Sequence, residues 1–84
     1  MRERELQTVL DASERVVVHL ATVGAAVSDQ LDEALDQLAH RSLRTRFVRV
    51  PVERTSPWLP ALRLTTLPAL VCFQDGVVKV LHTP

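Results

Sequence analysis

Few side chains in this sequence could carry chemistry, and their spacing restricts what that chemistry could be. Cys72 is the one cysteine. A single thiol excludes an internal disulfide, a CxxC redox pair and a multi-cysteine zinc site. It lies between Val71 and Phe73 in an apolar run. Burial there disfavours the reactive thiolate, so the expectation is a core filler rather than a redox or metal group. His19 sits in the β-branched run Val16-Val17-Val18-His19-Leu20 with no nucleophile evident beside it, which reads as a hydrogen-bonded structural histidine rather than a general base. His40 falls at a helix end and His82 in the tail, so the three histidines are not expected to converge on a metal.

Charged residues form two groups. Asp29, Asp32, Glu33 and Asp36 give one helix an acidic outer face. No carboxylate elsewhere completes a hydrolase-type pair, so this is a solvated face that could serve for electrostatic docking. Arg41, Arg44, Arg46 and Arg49 form a local basic cluster. Only Phe47 interleaves it, which favours a solvated surface; a protein or phosphate contact is the alternative. Trp58 is either a core anchor or an interface contact, since interfaces favour Trp and Arg. Two glycines cannot build a phosphate-cradling loop. No catalytic, cofactor-binding or metal-ligating residue is expected.

The elements that must position these residues follow from periodicity. Leu6, Val9 and Leu10 mark a helix over residues 2–13. Residues 15–20, apolar on both sides, read as a central strand. Residues 28–43 are the clearest helix, with Ser28 as N-cap, Asp29 and Asp32 in the first turn, Arg41 and Arg44 at the end, and Leu31, Ala34, Leu35, Leu38 and Ala39 in one stripe. Residues 46–52 form a second strand, with Val48, Val50 and Val52 on one face and Phe47, Arg49 and Pro51 on the other; Pro51 lacks an N–H and places it at an edge. Ser56 and Pro57 start a short helix through Arg63 that tolerates Pro60 in its first turn. Thr65 to Pro68 end it. Strands at 69–73 and 77–81 flank the hairpin signal Gln74-Asp75-Gly76. A strand–helix–strand unit wants a right-handed parallel crossover, and the closing hairpin is antiparallel. The fold class is therefore α/β, a mixed four-stranded sheet with flanking helices.

Eighty-four residues make one domain, 1–84. The chain is 46% hydrophobic and 24% charged, a composition that folds. Ten basic against ten acidic residues give no net charge, and there is one Trp, two Phe and no Tyr; neither fits a nucleic-acid binder. No run reaches the roughly 18 apolar residues of a membrane span. The charged start, MRERELQ, has no signal-peptide core behind it, which makes the cytoplasm the default location. A domain of this size without a disulfide needs an efficient core or a partner.

The segment Thr66-Leu67-Pro68-Ala69-Leu70-Val71-Cys72-Phe73-Gln74-Asp75-Gly76-Val77-Val78 resembles the second half of a thioredoxin fold, in which a cis-proline opens a strand leading to a polar-polar-Gly hairpin. Val50-Pro51-Val52-Glu53 and Trp58-Leu59-Pro60-Ala61-Leu62-Arg63-Leu64 resemble the strand and short helix before it. Within that superfamily the likeness is to the phosducin-like group, which includes thioredoxin domain-containing protein 9. It rests on Val16-Val17-Val18-His19-Leu20, Leu38-Ala39, Thr45-Arg46-Phe47-Val48-Arg49-Val50 and Val52-Glu53-Arg54-Thr55-Ser56-Pro57-Trp58-Leu59. The resemblance covers essentially the whole chain.

The departures from the family are specific. Where redox thioredoxins carry Trp-Cys-Gly-Pro-Cys, this chain reads Ala21-Thr22-Val23-Gly24-Ala25-Ala26-Val27-Ser28. His19 stands where they bury an aspartate. The chain ends at Pro84, ahead of the family's terminal helix, which implies a truncated or reduced domain. The resemblance implies a cis Leu67-Pro68 bond, whose neighbouring backbone could bind an extended peptide. It also implies a redox-inactive protein-binding domain that regulates, or is a co-factor of, folding by the cytosolic chaperonin of actin and tubulin, with G-protein βγ as another partner of the group. The contacts would fall on Asp29, Asp32, Glu33, Asp36, Arg41, Arg44, Arg46 and Trp58. Two alternatives stand beside it. One is a degenerate thiol oxidoreductase using Cys72. The other is a structural module that oligomerises through an uncovered sheet face.

Overall fold

The computed structural model describes residues 1–22, 26–53 and 55–83, with only the backbone of 26–28. A single 3₁₀ turn, Glu3–Glu5, leads into α1 (Leu6–Ala12). Then come β1 (Arg15–Ala21), α2 (Ala26–Ala39), β2 (Arg46–Pro51), α3 (Trp58–Ala61), β3 (Ala69–Gln74) and β4 (Val77–His82). The sheet order is β2-β1-β3-β4. β1 pairs parallel with β2 and antiparallel with β3, and β3 pairs antiparallel with β4. The mixed four-stranded sheet is as expected, with β1 inside and β2 at an edge where the missing N–H of Pro51 is harmless.

Register sorts the side chains onto two faces. Val18 aligns with Val48 and Val71, and Leu20 with Val50 and Ala69. With Val16 and Phe73 they make the core face, closed by Leu6, Val9 and Leu10 of α1 and flanked by Trp58 and Leu59 of α3 and by Leu62 just after it. Burying this apolar surface is the main driving force for folding. The second face carries Val17, His19, Phe47, Arg49, Leu70, Cys72 and Val80, alternating with the first as the pleat requires. α2 packs on this face, on the β2 side.

Several boundaries differ from expectation. α2 begins at Ala26, so Ser28 lies inside the helix rather than capping it; good helix formers such as Ala extend a helix upstream of a capping candidate. α2 also ends at Ala39, before Arg41 and Arg44. Arg41 N–H donates to the Leu38 carbonyl at 3.0 Å, tightening the last turn, and Thr45 N–H donates to the Ser42 carbonyl at 3.2 Å in the turn into β2. Of the expected α2 stripe only Leu35 is buried; Leu31 and Ala39 are half-buried, and Ala34 and Leu38 are exposed. α3 stops at Ala61, and Arg63 adopts a left-handed φ of 56° rather than continuing the helix. Ser56 Oγ accepts the Trp58 N–H at 3.2 Å and donates to Glu3. It thus caps the helix start one residue further out than a standard N-cap. Asp75 and Gly76, at φ 52° and 79°, make the primed hairpin turn that their residue types favour.

Leu20 has no solvent exposure, whereas Leu38 is 50% exposed. Leu20→Ala is expected to lower unfolding free energy by about 2–5 kcal/mol. Leu38→Ala should change it by less than about 0.5 kcal/mol. Urea titrations of the two variants check both values.

Candidate functional site

Buried polar side chains are rare among the described residues. His19 has no solvent exposure, and Ser56 at 5% is the other buried polar residue among the described ones. His19 aligns with Arg49 on β2 and Leu70 on β3, so its imidazole and the Arg49 side chain leave the sheet on the same face. α2 crosses above them and delivers Asp32. His19 Nδ1 lies 2.5 Å from Asp32 Oδ1. A carboxylate accepts, so the imidazole presents its Nδ1–H. Arg49 Nε makes an ion pair with the other oxygen, Oδ2, without the alignment of a hydrogen bond. One carboxylate thus joins β1, β2 and α2. His19 Nε2 is buried with no partner among the described residues.

Asp32 was expected on the solvated acidic face and Arg49 in a basic cluster; both turn inward instead. On the helical wheel Asp32 lies about 60° from Leu35, the stripe residue that is buried, so it borders the covered side. His19 and Arg49 share a register row, which makes them one site. These two facts are the signal in the sequence. Beside the ion pair an open cleft of about 430 Å³ runs between α2 and β2, with Glu33, Asp36 and Phe47 in its lining. Asp29, Glu33 and Asp36 are exposed, as a solvated face requires.

The arginine cluster reduces to Arg41, Arg44 and Arg46, all exposed, once Arg49 is claimed by Asp32. Trp58 is half-buried and packs against the core, so it is an anchor with one side open. Cys72 is half-buried, not the buried filler expected. The reason is its face: Val71 and Phe73 point to the core, and Cys72 points to the opposite side of the sheet. The Leu67-Pro68 bond is cis. Pro68 is buried and Leu67 half-buried, and a hollow of about 700 Å³ beside them is lined by Thr22, Val52, Leu59, Leu64 and Leu67 among others. Val23, Gly24 and Ala25, in the stretch that matches the redox loop, lie outside the described residues, as does Arg54. Among the described residues no group of three His, Cys, Asp or Glu side chains is placed to hold a metal ion. No helix among them is long and apolar enough to cross a membrane.

No family model and no curated protein sequence matches this chain. Solved structures do. A cysteine-to-serine variant of Entamoeba histolytica thioredoxin superposes with a TM-score of 0.80 at 17% identity, covering 99% of this chain and 81% of that one. Chlamydomonas reinhardtii thioredoxin f2 gives 0.84 at 16% identity, covering 99% and 80%. A variant thioredoxin from Halobacterium salinarum gives 0.85 at 18% identity, covering 98% and 72%. At such identities the likeness is one of fold, and the fold of this chain is thioredoxin-like.

Removing the carboxylate leaves the imidazole Nδ1–H buried without an acceptor. Asp32→Ala is expected to lower stability by about 1–3 kcal/mol. Asp29→Ala, on the exposed side of the same helix, should stay within about 0.5 kcal/mol. Urea midpoints measured side by side decide between a structural tie and a surface charge. Equal effects would remove Asp32 from this role.

Proposed function

We propose that this chain is a redox-inactive thioredoxin-like domain of the phosducin-like type, which binds proteins and serves in the cytoplasm as a regulator or co-factor of chaperonin-assisted folding. The observation that carries this reading is the pairing of a thioredoxin-like fold with a single thiol, Cys72, in the middle of β3. Dithiol exchange needs a second sulfur to resolve the mixed disulfide. A scaffold without one retains its surfaces for recognition, and fold alone does not fix activity. The phosducin-like assignment is supported by the sequence resemblance of the β1, β2 and α3 segments.

The contacts proposed are the exposed carboxylates Asp29, Glu33 and Asp36 and the exposed Arg41, Arg44 and Arg46, with the open side of Trp58 as an apolar anchor. Charges so displayed steer encounter and select partners more than they add affinity. Chaperonin subunits or their clients are the partners this reading favours, ahead of G-protein βγ. No nucleic acid or membrane enters it.

A second reading, a thiol oxidoreductase using Cys72 alone, is favoured by one observation: Cys72 is half-buried rather than sealed in the core. The two readings diverge in solution. The purified chain is expected to reduce insulin disulfides no faster than its Cys72→Ser variant; a clear excess over that control would establish the oxidoreductase. An affinity pull-down from cytosolic extract is expected to enrich chaperonin subunits, actin or tubulin. The combined variant Asp29→Asn, Glu33→Gln, Asp36→Asn should lose most of that enrichment. A folded bait that retains none of them would end the chaperonin reading.

A further inference from the structure

β4 ends the sheet order, and all six of its residues, Val77–His82, are exposed. Among the described residues no strand lies on its outer side. Four of the six are aliphatic: Val77, Val78, Val80 and Leu81. Val78 and Leu81 pair with Phe73 and Val71, so both lie on the α1 side of the sheet. A free edge of this composition offers its outward N–H and C=O groups as a template for another strand. One residue breaks the pattern. Gln74 pairs with Val77 and Phe73 with Val78, but Cys72 pairs with Val80. Lys79 therefore stands opposite no residue of β3 and forms a bulge.

We propose that Lys79 closes the edge of β4 to strand addition, so that neither a partner's strand nor a second copy of this chain extends the sheet there. The inference is independent of the phosducin-like and chaperonin readings. Two effects coincide at this residue. The first is geometric. In a regular strand the outward-facing backbone groups recur at every second residue. The extra residue puts Val77 and Val78 out of phase with Val80, Leu81 and His82. A regular incoming strand can match the two residues before the bulge or the three after it, but not both. Either run is shorter than the usual strand of about five or six residues.

The second effect is electrostatic. Lys79 is exposed in the middle of the edge. An apolar strand drawn alongside would displace water from its ammonium group, which costs free energy unless an anion replaces that water. A lysine and a bulge are both devices by which soluble sheets keep a free edge from pairing. Here one residue supplies the two. Without it β4 would read Val-Val-Val-Leu-His, with every other pair to β3 kept and made consecutive. Recognition at β4 is thereby left to side chains rather than to the backbone.

Two variants separate the effects. Deletion of Lys79 removes the bulge and the charge together; Lys79→Val removes the charge and keeps the extra residue. Self-association of each is measured by sedimentation equilibrium, and its location by amide hydrogen exchange. The unaltered chain is expected to show no association that slows exchange in β4 at up to about 1 mM protein. The deletion variant should associate at least about ten-fold more tightly, with slowed exchange at β4 amides, and Lys79→Val should fall between. Lys79→Arg, which keeps both charge and bulge, should behave as the unaltered chain. Adding Leu81→Lys to the deletion variant should reverse its association by returning a charge to the edge.

Circular dichroism establishes that each variant folds. If the deletion variant does not, Lys79→Val decides alone, and association no tighter than that of the unaltered chain overturns the proposal. Three further results would overturn it: an unaltered chain that dimerises with slowed exchange in β4, a folded deletion variant that stays as monomeric as the unaltered chain, or association of that variant with no change of exchange in β4.

Discussion

An imidazole with no access to solvent, in the middle of the central strand, must find its hydrogen bond inside the fold. Leaving a buried polar group unmade costs more than making an ordinary hydrogen bond contributes. His19 has strands on both sides, so the partner has to come from the layer above. Asp32 on α2 supplies it, and Arg49 on the neighbouring strand balances the carboxylate so that the helix does not place an uncompensated charge over the sheet. This three-residue tie fixes where α2 sits. A helix held over His19 and Arg49 packs chiefly on the β2 side of the sheet.

The two sheet faces thus do different work. The core face needs nothing but shape: Val18, Leu20, Val50 and Val71 are without exposure, and α1 closes over them. The second face is held by electrostatics at one end and left apolar at the other. The Arg49–Asp32 pair is half-exposed, so it contributes little to stability beyond fixing orientation. Here the tie fixes the seat of a helix whose apolar stripe, only partly buried, would not fix it alone.

Strand order and turns were legible in the sequence because single residues decide them. Pro51 sends β2 to the edge through its missing N–H, and Asp75-Gly76 accepts the positive φ values of a tight hairpin. The apolar run 15–20 identifies the central strand. Helix ends were less legible. Ser28 looks like a cap, yet nothing local prevents a helix from starting at Ala26. The site was least legible, for a physical reason. Asp32, Arg49 and Cys72 are each half-buried, where residue type alone points to the surface for the first two and to the core for the third. Their places depend on which half of the sheet a helix covers, a tertiary fact that periodicity within one element does not contain. Register could have paired His19 with Arg49, since equal depth in adjacent parallel strands puts both on one face.

α2 consequently presents two chemically distinct sides to anything approaching the domain. Toward β2 its neighbourhood is acidic, with Glu33 and Asp36 beside the Asp32 tie. Toward β4 it is apolar and edged by Arg15, Lys79 and His82. The difference arises from one helix turned about its axis by the demand of His19 for Asp32. Selectivity for a partner on the acidic side would need only that wrong surfaces meet like charge there.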